Sequence, residues 1–290
     1  MNRRQFLVAG STVATAGLAG CTDILGGDDA GSLGDVSAWL PDPRQVDSNL
    51  DHYQFSATSP AALVDAIDDR ALEFEFRPNP QFGAVTSTDV DTQIEVDTGT
   101  GQSFTVYLGS FDDEWAETNL EGAGYDRVRS IDDLTIYDRN DGDAVAVSSE
   151  VAIEAGDSST DPDAAQLAEL ILDTEGGEVT RYTDALSDME VLMDALPSGH
   201  IVEGESFDRV ESNAPDSGVF ERQVAEGEST TINGREVEET EVLVFLDEGD
   251  VVERDIEEYI EESGQFSDFL SRPDYEIDGR SVTITGTSAF

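Results

Sequence analysis

The sequence predicts an α+β protein of two related halves, each a mainly antiparallel sheet with helices on one face. Short apolar runs with alternating polar residues recur along the chain, as half-buried strands require. Between them lie short helix candidates that carry their own start and stop residues. The same order of elements also comes twice. Thr105-Val106-Tyr107-Leu108 and Leu243-Val244-Phe245-Leu246 lie 138 positions apart, as do Tyr137 and Tyr275. Gly142 and Gly279, Val145 and Val282, and Val147 and Ile284 are each 137 apart. A period this long indicates two domain-sized halves rather than a solenoid.

Residues 1–20 read as an export signal. Met1-Asn2-Arg3-Arg4-Gln5-Phe6-Leu7 opens on paired arginines, and a small, apolar run from Val8 to Ala19 follows, too short to span a bilayer well. Arg3-Arg4-x-Phe6-Leu7 resembles a twin-arginine signal. Leu18-Ala19-Gly20-Cys21 resembles a lipobox, which implies lipid attachment at Cys21 and removal of everything before it. Residues 21–36 then read as a flexible tether, Gly- and Asp-rich with little to bury. Its fourteen residues Thr22–Asp35 reach about 20 Å as a coil and at most roughly 50 Å extended.

The first half is expected over 37–158. Ser59 caps a helix with Pro60 in its first turn, running to about Asp69, and a strand follows from Leu72 to Phe76. Ile94–Val96 and Phe104–Leu108 alternate as a hairpin does, and a helix from Asp113 to Leu120 stops at Gly122 and Gly124. Asp141-Gly142 then sits between alternating runs, a hairpin signal. The connection over 159–180 carries a helix from Ala164 to Leu172.

The second half, 181–290, repeats the plan. Ser187-x-x-Glu190 has the form of a capping box, and Met189–Leu196 carries apolar residues before Pro197-Ser198-Gly199. Strands are expected at Ile201–Glu203 and Val237–Leu246. Asp250-x-x-Glu253 opens a helix over Val251–Glu262 that stops at Ser263-Gly264. Asp278-Gly279 supplies the second hairpin turn.

Charge narrows the class further. The chain of 290 residues has 65 acidic side chains against 15 basic ones, a net −50, and all 15 are Arg. Removal of Arg3 and Arg4 with the signal leaves 65 acids against 13 arginines, or −52. Such a surface excludes nucleic acid, whose binding needs clustered Lys and Arg. In molar salt the Debye length falls to about 3 Å, so the long-range repulsion nearly vanishes. Strong acidity, no Lys, a twin-arginine signal and a lipobox together resemble the exported lipoproteins of haloarchaea. That resemblance implies a lipid-anchored protein at the outer face of the cell membrane, and it fixes location rather than activity.

No catalytic, cofactor-binding or metal-ligating set emerges. Counted from Asp138, Gly142 falls fifth and Ser149 twelfth, so the calcium-loop register fails and a hairpin is favoured. His52 and His200 lie in no HExxH motif, and no GxSxG is present. Gly99-Thr100-Gly101 and Gly122-Ala123-Gly124 lack the third glycine of a dinucleotide fingerprint. Asp112-Asp113-Glu114 and Glu236–Glu241 read as solvated acidic faces. Trp39 and Trp115 read as core anchors, and Met189 and Met193 share one packed helix face. The sequence therefore favours a non-catalytic binding or scaffolding module, tied to the membrane by lipid and meeting a protein partner at the cell surface. A solute-binding protein with its ligand between the halves is the alternative, and a hydrolase stands third. The oligomeric state is left open.

Overall fold

A computed structural model describes residues 36–67, 89–131, 133–139, 142–157, 163–262 and 273–289. Arg3, Arg4, Cys21, nearly all of the tether, the strand expected at Leu72–Phe76 and the helix stop at Ser263-Gly264 lie outside those residues.

Within them the chain is α+β, dominated by a single antiparallel sheet. Two short helices, α1 (Pro43–Val46) and α2 (Pro60–Ala66), flank β1 (Gln54–Thr58). The hairpin β2 (Val90–Asp97) and β3 (Gln102–Gly109) leads to α3 (Asp113–Gly122). Four strands follow, β4 (Asp126–Ile131), β5 (Leu134–Asp138), β6 (Asp143–Val147) and β7 (Val151–Asp157). Then come three helices, α4 (Ala164–Glu175), α5 (Tyr182–Ala185) and α6 (Ser187–Ala195). Last are β8 (Ile201–Ser206), β9 (Gln223–Asn233), β10 (Glu236–Phe245), α7 (Glu253–Glu262), β11 (Asp274–Asp278) and β12 (Ser281–Ala289). The strand order is β11-β12-β10-β9-β8-β1-β2-β3-β7-β6-β5-β4.

Local chemistry sets the ends of these elements. Asp112 accepts from the Trp115 N–H and caps α3, while Gly124, at φ +92°, takes the left-handed conformation just beyond it. Asp163 and Gln166 form a reciprocal capping box on α4. Positive φ at Gly142 and Gly279 turns the chain into β6 and β12. Three caps differ from the sequence reading. Ser59 makes no side-chain cap bond, and α6 starts one residue early with Leu186 at its cap, so Ser187 lies inside the helix. Helix α7 starts at Glu253 rather than Val251, and Asp250 instead closes the turn before it, where its carboxylate accepts the Asp247 N–H.

The sheet departs from two separate sheets with helices on one face. β1 pairs with β8 from Gln54↔Glu205 to Thr58↔Ile201, so the ladder runs unbroken between residues 37–158 and residues 181–290. The largest core lies on one face, where Phe55, Val106, Ile153, Val202 and Val244 meet Leu167 and Ile171 of α4 and Met189 and Leu192 of α6. Thus α4, expected as a connector, packs on β5, β6 and β7. On the opposite face, α3 covers Tyr107, Tyr137, Val145 and Val147, while α7 covers Leu243, Phe245, Val282 and Ile284. Helices therefore occupy both faces. The physical reason is the strand period of two: β3 and β10 are apolar at consecutive positions, so both of their faces need cover.

The glycine pair Gly204↔Gly227 brings α6 close to the sheet at the junction. A Cβ at Gly204 would stand 2.8 Å from a Phe55 ring carbon, and one at Gly227 would stand 2.8 Å from Leu196 Cδ1. Only a residue without Cβ leaves room there for the Phe55 ring and the helix side chains.

Candidate functional site

The residues singled out in the sequence do not converge. The His200 Nδ1 accepts the Ile232 N–H at 2.9 Å, the His200 backbone N–H donates to Thr230 O at 2.8 Å, and the His200 carbonyl accepts from the Ser59 N–H. Burial pushes its pKa below 6.5, which suits a neutral structural imidazole. His52 stands just before β1, away from that position. Asp143, in the rejected calcium loop, pairs with Arg139 at the hairpin. Trp39 is buried, but Trp115 is 40% exposed on the outer side of α3, so only one tryptophan anchors a core. Met189 and Met193 both pack into the main core.

What the sheet register assembles instead is a row of carboxylates. Glu241 on β10 lies opposite Glu228 on β9, Glu228 opposite Glu203 on β8, and Glu203 opposite Ser56 on β1. Ser56 faces Glu95 on β2, which faces Thr105 on β3, which faces Glu154 on β7. Alternation puts the whole row on the face opposite the main core, between the patches under α3 and α7. Its ends are tied to tyrosines. Tyr107 donates to Glu154 at 2.9 Å, and Tyr259 of α7 donates to Glu241 at 2.9 Å.

The centre of the row is the strained part. Like charges directly opposite one another destabilise a strand pair. Burial pushes the Glu228 carboxyl from 4.5 up to about 7, helped by the charges of Glu239 and Glu203 and opposed by a Thr230 hydrogen bond. Glu203 is raised as well, by burial first and then by Glu95, although the Ser56 hydroxyl donates to it at 3.0 Å and pulls the other way. A carboxyl near pH 7 suits proton transfer. Yet no three His, Cys, Asp or Glu groups among the described residues come close enough to hold a metal ion.

A cavity of about 220 Å³ lies apart from the row, lined by Asn213, Phe220, Arg222, Phe245, Asp250 and Asp255 among others. Arg222, Asp250 and Asp255 of its lining are engaged within the fold. Arg222, a non-glycine residue at φ 66°, donates to Asp247 at 3.2 Å and holds its Nε 2.9 Å from Asp250. Burial raises Asp255, but the Asn213 amide, at 2.6 Å, and the Arg254 guanidinium outweigh it and hold the carboxyl below 3.8. The arrangement joins α7 to the loop before β9.

The row was half visible in the sequence. Glu95-x-Asp97, Glu203-x-Glu205, Glu226-x-Glu228 and Glu239-x-Glu241 place acids on alternate strand positions. That spacing marks one acidic strand face. The alignment of neighbouring strands, which brings Glu203 to Glu228, is set by the sheet.

No family model matches the chain, and no curated protein does. Among solved structures it is similar to three crystal forms of TP0453. Form I has a TM-score of 0.47 at 13% identity, covering 86% of this chain and 93% of that one. Form III has a TM-score of 0.46 at 13% identity, with 86% and 94% covered. Form IV gives 0.45 at 12% identity, with 87% and 96% covered.

Proposed function

We propose that this chain is a lipid-anchored, non-catalytic binding or scaffolding module at the outer face of the cell membrane, built from two related halves. The observation that carries the functional part is the filled junction between the halves. β1 and β8 pair over five residues, and Phe55, Val202 and Leu192 close one face of that seam, each at 5% exposure or less. A solute receptor of the kind weighed as the alternative holds its ligand in a cleft between lobes. A sheet running straight through favours a rigid platform. No helix of the described residues is long and apolar enough to cross a membrane.

The relation of the halves is supported by face as well as spacing. Val106 and Val244 both join the main core, whereas Tyr107 and Phe245 both face the helix that follows their strand, α3 or α7. Val145 and Val282 lie under those same helices. The copies differ by an added strand, since β3 pairs with β7 where β10 pairs directly with β12.

Changing Arg3 and Arg4 together to Lys should block export, and Cys21→Ser should release the protein from the membrane. Membrane fractionation and mass measurement of the mature N-terminus read both. Recovery of the unaltered protein wholly in the cytosol would overturn the proposal.

A further inference from the structure

The two ends of the sheet are complementary. β4 and β11 terminate the strand order, with no strand beyond either among the described residues. Both are solvent-facing: five of the six β4 residues and four of the five in β11 are exposed. Their charges are opposite. β4 carries Arg127 and Arg129, two of the chain's 15 arginines within three residues, whereas β11 carries Asp274, Glu276 and Asp278. Arg127 stands 3.8 Å from Glu117, and Arg129 pairs with Glu169 of α4, with both side chains still more than half exposed. Each guanidinium has five N–H donors and so keeps capacity for another carboxylate.

Among the described residues, the exposed large hydrophobic side chains lie on these two edges or on the elements beside them. The large hydrophobic side chains left exposed among the described residues are Trp115, Val128, Val252 and Ile277. Val128 is on β4, and Trp115 is on α3, which packs against β4. Ile277 is on β11, and Val252 adjoins Glu253, whose carboxylate accepts the Tyr275 hydroxyl of β11 at 3.2 Å.

Edge strands usually blunt pairing with charge and bulges. β4 has a register shift between Arg127 and Arg129, but β11 pairs with β12 without one and contains neither Pro nor a basic residue. Acids on one edge repel acids, not arginines. We propose that copies of this chain join edge to edge, β4 of one against β11 of the next. Main-chain hydrogen bonds would extend the sheet, and Arg127 and Arg129 would meet the acids of β11. Because the edges lie at opposite ends of a twelve-stranded sheet, the contact is head-to-tail and gives open rows rather than closed dimers. This assembly does not depend on whether Cys21 carries lipid.

Sedimentation velocity of the purified chain, in NaCl sufficient to keep it folded, tests the contact. The unaltered chain should form a concentration-dependent series of species. Arg127→Glu with Arg129→Glu, and separately Asp274→Arg with Glu276→Arg, should each weaken association by about tenfold or more, because attraction becomes repulsion. An equal mixture of the two variants should associate again, since each then meets an edge of opposite sign. Circular dichroism checks that both remain folded. If either does not, Val128→Ser and Ile277→Ser replace them, and each should weaken association. A monomeric unaltered chain would overturn the inference, as would variants that associate normally or a mixture that stays monomeric. A charge variant that stops at dimers by itself would show a two-fold contact and overturn it too.

Discussion

Replacing Glu228 with Gln should remove a pH-dependent weakness at the centre of the sheet. In the folded chain the carboxyl titrates at about 7, against its ordinary 4.5, because burial and the charges of Glu239 and Glu203 oppose ionisation. Between those pH values the folded state holds the proton more tightly than the unfolded state, so stability falls as pH rises. The contribution is fully present below about pH 4.5 and lost as pH passes through 7. At roughly 1.4 kcal/mol per pH unit, the loss approaches about 3 kcal/mol above pH 8. Gln keeps the shape and hydrogen-bonding capacity without the charge. Melting temperatures across pH 4.5–9 at constant molar salt provide the assay. For a chain of 290 residues, about 3 kcal/mol corresponds to roughly 5 °C. The variant should melt higher than the parent by that order above pH 8, and the two should converge toward pH 4.5. His200 has the opposite dependence, since its lowered pKa gives stability that is lost as pH falls below 6.5. Comparing the two curves cancels that contribution. Glu203 sits opposite Glu228, so part of the effect will appear as a downward shift of the Glu203 titration. Parallel curves from pH 5 to 8, or a variant less stable at pH 8, would refute the carboxylate argument.

Tyr182→Phe should cost about 1–3 kcal/mol in denaturant titrations with little change in slope, because the fully buried hydroxyl accepts the Tyr53 N–H at 3.1 Å and lies 2.7 Å from Ser206 Oγ. An unchanged midpoint would show that water replaces those bonds. Stability should also rise steeply over the first few tenths molar NaCl and more slowly beyond, since the Debye length shortens from about 30 Å at 10 mM to about 3 Å at 1 M. A salt-independent melting temperature would contradict the charge reading. Trace calcium at fixed ionic strength should add nothing further, and a saturable calcium shift would show a site that the Asp138 register does not provide.

Features with local causes were legible in the amino-acid pattern. Period-two alternation marked β2, β3 and β10, Gly142 and Gly279 marked two turns, and Asp113–Leu120 marked α3, because each depends on residues only a few positions apart. Val106 and Val244 both face the main core, each through alternation within its own strand. Tertiary structure alone decided how those pieces meet. The joining of the halves through β1 and β8 depends on residues about 147 positions apart, such as Ser56 and Glu203, and no local pattern encodes that pairing. Helices cover both faces because β3 and β10 are apolar on both sides, which becomes a demand for cover only once neighbouring strands extend those faces. Glu236–Glu241 reads as a solvated acidic run, yet Glu241 is half-buried against the Tyr259 hydroxyl and stands in line with Glu228 and Glu203. An acid's environment is set by the strand beside it and the helix above it. Long-range register, unlike strand or turn formation, is fixed by the closing of the whole sheet.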